Sequence, residues 1–368
     1  MKKKIITIFI ILIFIFHGFS YAEKLNLSAE SYILMDEVSG RVLMGHNSLN
    51  KMAMASTTKI MTALIALENS NPDDIVTIDE RSIDIEGSSI YLKYNEEISM
   101  MDLLYGLMLR SGNDSAIAIA NQVCNTEEEF VQLMNEKAKS LNALNTNFVN
   151  PHGLSHDNHY STAYDLALIT REAFKYDLFR DIVSTKSYRA NRSVNGYFLN
   201  KNKTLWEYLD GDGVKIGYTL ASGRCLVSSA MRGNMRLIAV SLNAPNWFND
   251  NYHLMDYGFD NYKPYTIYGK YQLMKKIKIS DDSIELNLLT ENDLIYPLSE
   301  EEKDKIKVNI TPYDDLKLPI KKGEITGKIE TYLDGVLISR DNLVAQSDIK
   351  KISLIINQLQ EFIYLRYL

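Results

Sequence analysis

The spacing of apolar residues divides the chain into helical and extended stretches before any chemistry is considered. Ser31 to Met35 and Arg41 to Met44 are short β-prone runs. They flank Asp36-Glu37-Val38-Ser39-Gly40, which reads as a hairpin connection ending on a permissive glycine. Ile60, Met61, Leu64, Ile65 and Leu67 recur at helical spacing, so the stretch from Met54 to Leu64 opens a helix. Ile98 to Leu109 gives a second apolar helix, with Asp102 near its start, and stops at Ser111-Gly112-Asn113. Further helical patterns run from Asp114 to Val123, from Glu127 to Leu141 and from Tyr160 to Phe174. The proline and glycine of Asn150-Pro151-His152-Gly153-Leu154 mark a loop.

The period then changes to two. Val214 to Thr219, Arg224 to Ala230 and Met235 to Leu242 read as strands, the last pair joined across Arg232-Gly233-Asn234. A hairpin, a long helical insertion and then strands predict one antiparallel sheet built from both ends of a domain, with helices packed against it. Composition shifts between Tyr262 and Tyr268. From Leu273 to about Val344 short strands alternate with turn signals, which predicts a small all-β domain in which Ser299 to Lys305 is a solvated loop. From Ile349 to Leu368, Ile352, Ile355, Ile356, Leu359, Phe362 and Ile363 form one helical stripe among polar residues, an amphipathic helix suited to a membrane surface or to a partner.

Composition narrows the setting. Lys2, Lys3 and Lys4 precede an apolar run from Ile5 to Phe16 in which Thr7 is the one polar residue, and Ser20-Tyr21-Ala22 supplies small residues for cleavage, so residues 1–22 read as a signal peptide and the protein as exported. Losing those three lysines moves the formal charge from -7 to -10, which argues against a nucleic-acid partner. The two cysteines, Cys124 and Cys225, are too few for a disulfide scaffold. Each reads as a small buried side chain, with a single bridge between them left open.

Three short motifs carry candidate chemistry. On a helix, Ser56 and Lys59 stand one turn apart on one face, so a hydroxyl meets an amine. That pair is the minimum for serine nucleophilic catalysis without histidine, provided burial and nearby positive charge keep the lysine neutral. Ser48-Leu49-Asn50-Lys51 repeats the spacing, but it lies in a polar stretch that reads as a loop. Ser111-Gly112-Asn113 falls in a break between helices, and Lys215-Ile216-Gly217 on a strand before Tyr218-Thr219. Ser140-Leu141-Asn142 and Lys321-Lys322-Gly323 match those motifs in outline, so order and placement carry the information. His152, His156 and His159 are spaced as metal ligands could be, yet no fourth ligand is near and they read as loop-packing residues.

In this order the motifs match the set found in penicillin-binding proteins and class A β-lactamases. With Ala55 to Thr62, Leu103 to Asp114, Asn150 to Leu154, His159-Tyr160-Ser161-Thr162-Ala163 with Asp165, and Asp212 to Lys215, the chain resembles the serine D-alanyl-D-alanine carboxypeptidases of the low-molecular-weight penicillin-binding protein family. The resemblance implies an α/β, β-lactamase/transpeptidase-like domain over residues 23–265, a small β-rich domain over 266–345 and a membrane-associating helix over 346–368. It implies that the protein trims the D-Ala-D-Ala end of peptidoglycan stem peptides on the outer face of the cell membrane or in the wall. β-Lactams are the implied inhibitors, and no cofactor or metal is required. Ser56 would be the nucleophile, Lys59 its base and Ser111 a proton relay. Asn113, Lys215, Gly217, Tyr218 and Thr219 would hold substrate, and the backbone N–H groups of Ser56 and Tyr218 would form the oxyanion hole.

One position departs from the pattern. The family usually carries threonine where this chain has Ile216, so a hydroxyl that would hold the substrate carboxylate is missing, a loss of about 1.5 to 3 kcal/mol. The resemblance therefore leaves an alternative, a catalytically weak or inactive peptidoglycan-binding homologue, with Thr219 or Ser222 as possible sources of a substitute hydroxyl. A β-lactamase is disfavoured because no Glu-x-x-Leu-Asn segment is found to activate a deacylating water and the β-rich tail is foreign to that class.

Overall fold

The computed structural model describes residues 25–279 and 284–350. The expected signal peptide lies outside the described residues, as does the expected amphipathic helix from residue 351 on, whereas Ile349, where that helix was expected to begin, makes an extended bridge to Ile320. Strands β1 (Ser31–Asp36) and β2 (Val42–His46) form the expected hairpin. After α1 (Lys59–Asn69), the short strands β3 (Ile75–Thr77) and β4 (Glu97–Ser99) pair with each other. A helical layer follows, made of α2 (Met100–Leu109), α3 (Asn113–Val123), α4 (Glu127–Ser140), α5 (Ala163–Ala173) and α6 (Asp177–Ser184). The hairpin β5 (Ser187–Arg189) and β6 (Tyr197–Leu199) and the single turn α7 (Thr204–Glu207) lead back to the sheet. There β7 (Gly211–Thr219), β8 (Gly223–Arg232) and β9 (Met235–Leu242) complete a five-stranded antiparallel sheet in the order β2-β1-β9-β8-β7.

The sheet unites both ends of the domain, as the sequence pattern predicts, and β7 is one of its edges. Ile33, Met35, Val227, Ile238 and Val240 face the helical layer and share its core with Leu64, Leu107 and Ile119. The opposite face, with Leu34, Leu237 and Ala239, is covered by α8 (Trp247–Asn261), a helix the sequence reading did not anticipate.

Several predicted boundaries are corrected by caps. Ile98 belongs to β4 opposite Val76, and the Ser99 hydroxyl accepts from Asp102 N–H to start α2 at Met100. The helix expected from Tyr160 begins at Ala163, because Tyr160 and Ser161 make extended bridges to Asn147 and Met52 and Thr162 then caps Asp165 N–H. Ser299 to Lys305 is not an irregular loop. Glu300–Lys305 forms a 3₁₀ helix behind a Ser299/Glu302 capping box, which fixes a segment whose charges had suggested only solvation. Cys124, half-buried, and Cys225, buried, are both free thiols.

The C-terminal β-domain begins with β10 (Lys263–Tyr268). Strands β11 (Leu273–Ile279), β12 (Ile284–Thr290), β13 (Leu294–Leu298), β14 (Ile306–Pro312), β15 (Ile325–Leu333) and β16 (Val336–Ala345) complete it. β10 pairs with β13, and the others form a second sheet in the order β11-β12-β16-β15-β14, around Tyr268, Leu288, Ile329 and Leu343. Arg41, just before β2, ties the two domains together. Its guanidinium donates to both Glu302 carboxylate oxygens, at 2.9 and 2.5 Å, and to Pro297 O, beside the rings of Tyr262 and Tyr296. Among the described residues no helix is long and apolar enough to cross a membrane.

Candidate active site

Ser56 does not lie in the α-helix proper. It sits in a 3₁₀ turn, Ala55–Thr58, which Ala55 enters with φ +48, so the hydroxyl is offered at the mouth of α1 and not along its side. The left-handed residue is held from several directions. Val149 N–H donates to His159 Nδ1, which puts the proton of the neutral ring on Nε2, 2.8 Å from Thr58 Oγ1, and that hydroxyl donates to Ala55 O. Burial, followed by the charges of His156 and Lys59, lowers the His159 pKa to about 4, so this chain of donors stays neutral. Glycines close the turn on two sides. A Cβ at Gly153, whose φ is +93, would fall 2.1 Å from Ala55 O, and one at Gly217 would fall 2.9 Å from Ser56 N.

Lys59 is fully buried, and its Nζ lies 3.1 Å from Ser56 Oγ, 2.7 Å from Asn113 Oδ1 and 2.5 Å from His152 O. Burial lowers its pKa well below the usual lysine value, the charge of Lys215 lowers it further, and Asp114 opposes them. A neutral amine has two hydrogens and one lone pair. In the neutral form that this shift favours, Asn113 Oδ1 and His152 O accept the two hydrogens and the lone pair is left for the Ser56 O–H. Asn113 cannot turn its amide over, because its Nδ2 donates to Glu86 O at 2.5 Å. Its neighbour Asp114 accepts from Ser89 Oγ, Ile90 N–H and Leu92 N–H, fastening the loop that supplies that carbonyl.

The facing wall is the free edge of β7. Lys215 is buried and donates to Ile216 O at 3.0 Å; burial, then the charge of Lys201, lowers its pKa to about 7. Ser111, with φ +61 in the break between α2 and α3, closes the third side. A cavity of about 220 Å³ lies between these elements, lined among others by Ser56, Ser111, Lys215, Ile216, Tyr218 and Trp247. Gly217 contributes the close approach just described. Ile216 is half-buried in the lining and offers no hydroxyl. Thr219 lies beyond the lining with its hydroxyl already engaged, since it meets Ser222 Oγ at 2.9 Å and accepts from Ser155 Oγ and Ser222 N–H. Neither Thr219 nor Ser222 therefore presents a spare hydroxyl to the cavity.

The look-alike motifs lie elsewhere. Lys51 places its ammonium over the Tyr160 ring, Ser140 ends α4 by donating to Lys137 O, and Lys321 sits in a turn closed by Glu324. His152, His156 and His159 accept backbone N–H groups at Nδ1 from Leu154, Asn158 and Val149. Among the described residues no group of three or more His, Cys, Asp or Glu side chains is arranged to hold a metal. The sequence reading missed four contributors: the His152 carbonyl, the His159 relay, Asp114 and Trp247. The Pro151-His152-Gly153 loop signal was the available clue to the first.

A serine hydroxyl beside a buried lysine of lowered pKa, on an antiparallel sheet with a helical insertion, defines the β-lactamase/transpeptidase-like class. A family profile described as D-alanyl-D-alanine carboxypeptidase matches residues 19–246, and one for the C-terminal domain of penicillin-binding protein 5 matches residues 262–351. D-alanyl-D-alanine carboxypeptidase DacF of Bacillus subtilis is 34% identical over 340 residues, covering 89% of this chain and 87% of that protein. The crystal structure of penicillin-binding protein 5 from Haemophilus influenzae is similar with a TM-score of 0.75 at 28% identity, covering 88% of this chain and 98% of that one. Penicillin-binding protein 6B from Escherichia coli gives a TM-score of 0.68 at 28% identity, over 86% of this chain and 95% of that one. The chain belongs to the D-alanyl-D-alanine carboxypeptidase family.

Proposed function

We propose that the protein is a serine carboxypeptidase that removes the terminal D-alanine from peptidoglycan stem pentapeptides through an acyl-enzyme on Ser56. The observation that carries this reading is the fully buried Lys59 amine 3.1 Å from Ser56 Oγ, its pKa lowered well below the usual lysine value by burial and then by Lys215. Lys59 takes the hydroxyl proton as Ser56 Oγ bonds to the penultimate D-alanine carbonyl carbon. The developing oxyanion is received by the N–H groups of Ser56 and Tyr218, each worth about 3 to 4 kcal/mol in such sites. The carbon–nitrogen bond then breaks, and the proton reaches the departing amine through Ser111. Asn113 keeps Lys59 in place, and Lys215 supplies positive potential. Water, deprotonated by Lys59, attacks the ester and frees the shortened peptide. A β-lactam acylates the same hydroxyl, but its amine remains tethered after ring opening.

The intact Ser56–Lys59–Asn113 constellation favours this over a binding-only role, whatever Ile216 subtracts. We further assign residues 1–22 to export, 23–265 to the catalytic domain and 266–345 to the small β-domain. Of residues 346–368, the described part through residue 350 is bonded to the β-domain, and the rest is assigned to a helix lying on the outer face of the cell membrane, which would place the enzyme at that face or in the cell wall. Release of D-alanine from a pentapeptide, and a penicillin adduct mapped to Ser56 by mass spectrometry, are the decisive measurements. Both are expected to vanish in Ser56→Ala, and undiminished release by that variant refutes the assignment.

A further inference from the structure

Every described feature of the β7 wall raises the same question: what holds the negative end of the peptide if Ile216 has no hydroxyl and Thr219 and Ser222 bond each other. We propose that Arg224 is the carboxylate-binding residue of this site, contacting the C-terminal carboxylate of the stem peptide and of penicillins. The inference rests on the carboxypeptidase reading given above.

Arg224 is the second residue of β8 and stands directly opposite Tyr218, while Ile216 stands opposite Leu226. Directly opposed residues of an antiparallel pair project to the same face, and diagonal neighbours lie within reach of long side chains. Arg224 thus shares a face with both Tyr218 and Ile216, two residues of the cavity wall. Its guanidinium is not free to wander. Nη1 donates to Pro245 O at 2.6 Å, and Cζ sits 5.9 Å from the ring centroid of Trp247, a third residue of that wall. This anchoring uses one of five N–H donors. Among the described residues no carboxylate lies within ion-pair distance of Arg224, and Pro245 O is the one acceptor its side chain reaches. The result is an exposed guanidinium, outside the cavity lining but held beside its Trp247 by a carbonyl and an aromatic face, with its remaining donors unpaired. A planar fork of that kind matches a carboxylate, and an arginine beside an apolar Ile216 replaces a neutral hydroxyl with a charge-assisted bond.

The test sets charge on the protein against charge on the ligand. D-alanine release is measured from a pentapeptide with a free C-terminal carboxylate, and D-alaninamide release from the same peptide ending in a carboxamide. Wild type, Arg224→Gln and Arg224→Lys are compared with Arg110→Gln and Lys201→Gln, which remove the two other cations of the cavity lining besides Lys215, and melting temperatures confirm that each variant is folded. Arg224→Gln is expected to lower kcat/KM on the carboxylate peptide on the order of 10- to 100-fold and to match wild type on the carboxamide. Arg224→Lys should recover part of the loss. Equal rates for Arg224→Gln and wild type on the carboxylate peptide overturn the proposal, as does the same selective loss in Arg110→Gln or Lys201→Gln instead. An Arg224→Gln loss of equal size on both peptides also overturns it, since that marks a structural role. A wild type inert on both peptides sinks the carboxypeptidase reading itself, and the Arg224 assignment with it.

Discussion

Substituting Gly217 by alanine should damage acylation far more than it damages the fold. The added Cβ would stand 2.9 Å from Ser56 N and 3.1 Å from both Ala55 Cβ and Thr57 N. Comfortable separations are about 3.5 to 4 Å, so the gap must open by roughly half an ångström. The nucleophile turn has no room to retreat, because Gly153 packs against Ala55 O behind it and Thr58 holds the same carbonyl. The movement therefore falls between β7 and the Ser56 N–H, the two sides that must converge on the oxyanion. Misplacement by about 1 Å can cost roughly 100-fold, so half of that predicts a 10- to 100-fold fall in penicillin acylation and D-alanine release. Overpacking adds about 1 to 3 kcal/mol of destabilisation. Gly258→Ala is the matched control: its Cβ would crowd Leu237 Cδ1 at 2.6 Å and Leu34 Cδ2 at 2.7 Å, on the far face of the sheet. It should lower the melting temperature and leave acylation near wild type. Stopped-flow acylation with a fluorescent penicillin, read beside thermal melts, separates the two. Wild-type acylation in Gly217→Ala, or equal acylation losses in both variants, would refute the reasoning.

Three further outcomes follow from charges and hydrogen bonds. Lys215 is cationic below its pKa of about 7 and neutral above it, so kcat/KM for the free-carboxylate peptide should fall as pH rises through that value. Lys215→Gln should abolish this basic limb, and a pH profile that keeps it assigns the limb to another group. Asp114 accepts from four donors, Ser89 Oγ, Ile90 N–H and Leu92 N–H at Oδ2 and Ser115 N–H at Oδ1, so in Asp114→Asn the one amide oxygen keeps the three loop donors only by turning the amide nitrogen toward the buried Ser115 N–H. A loss of about 1 to 3 kcal/mol is expected in chemical denaturation, and an unchanged midpoint contradicts the assigned role. At Glu302, burial would raise the pKa, but the bonds from Arg41 and Ser299 outweigh it and the net shift is downward. Its contribution is thus present above the ordinary carboxylate range and lost as pH falls through the lowered value. Glu302→Gln should remove that acid-sensitive increment at the domain junction, and identical acid unfolding in the variant and wild type argues against it.

Much of this architecture is legible in the chain because the signals are local or strictly ordered. The runs at 214–219, 224–230 and 235–242 mark their strands as short, largely apolar stretches bounded by turn signals, and because both sheet faces are covered their burial is nearly continuous and not alternating. The chain order of Ser56, Lys59, Ser111, Asn113 and Lys215 distinguishes those residues from their look-alikes, although each tripeptide is commonplace. What escaped depends on distant atoms. The left-handed turn at Ala55 is held by Gly153, His159 and Gly217, none of them near it in sequence, so Ser56 reads as helical when it is not. The helix starts at Met100 and Ala163 were encoded locally, by Ser99-x-x-Asp102 and Thr162-x-x-Asp165, but strand pairing of the preceding residues had blurred the apolar period. Helix α8 was hidden because its first turns, Trp247 to His253, are mostly polar and its buried stripe of Leu254, Met255 and Phe259 comes late.

The buried lysines have a consequence for the molecule as a material. Holding Lys215 at a pKa near 7 instead of about 10.5 withholds about 5 kcal/mol from the folded state at acidic pH. That penalty is complete below pH 7 and fades as pH rises toward the unfolded value, so conditions that charge the site for work are those in which it strains the fold most. A neutral, apolar side chain such as methionine at 215 should make a tougher and useless protein. Any search for heat-resistant variants scored on folding alone will therefore be drawn to this site first and will empty it of its chemistry.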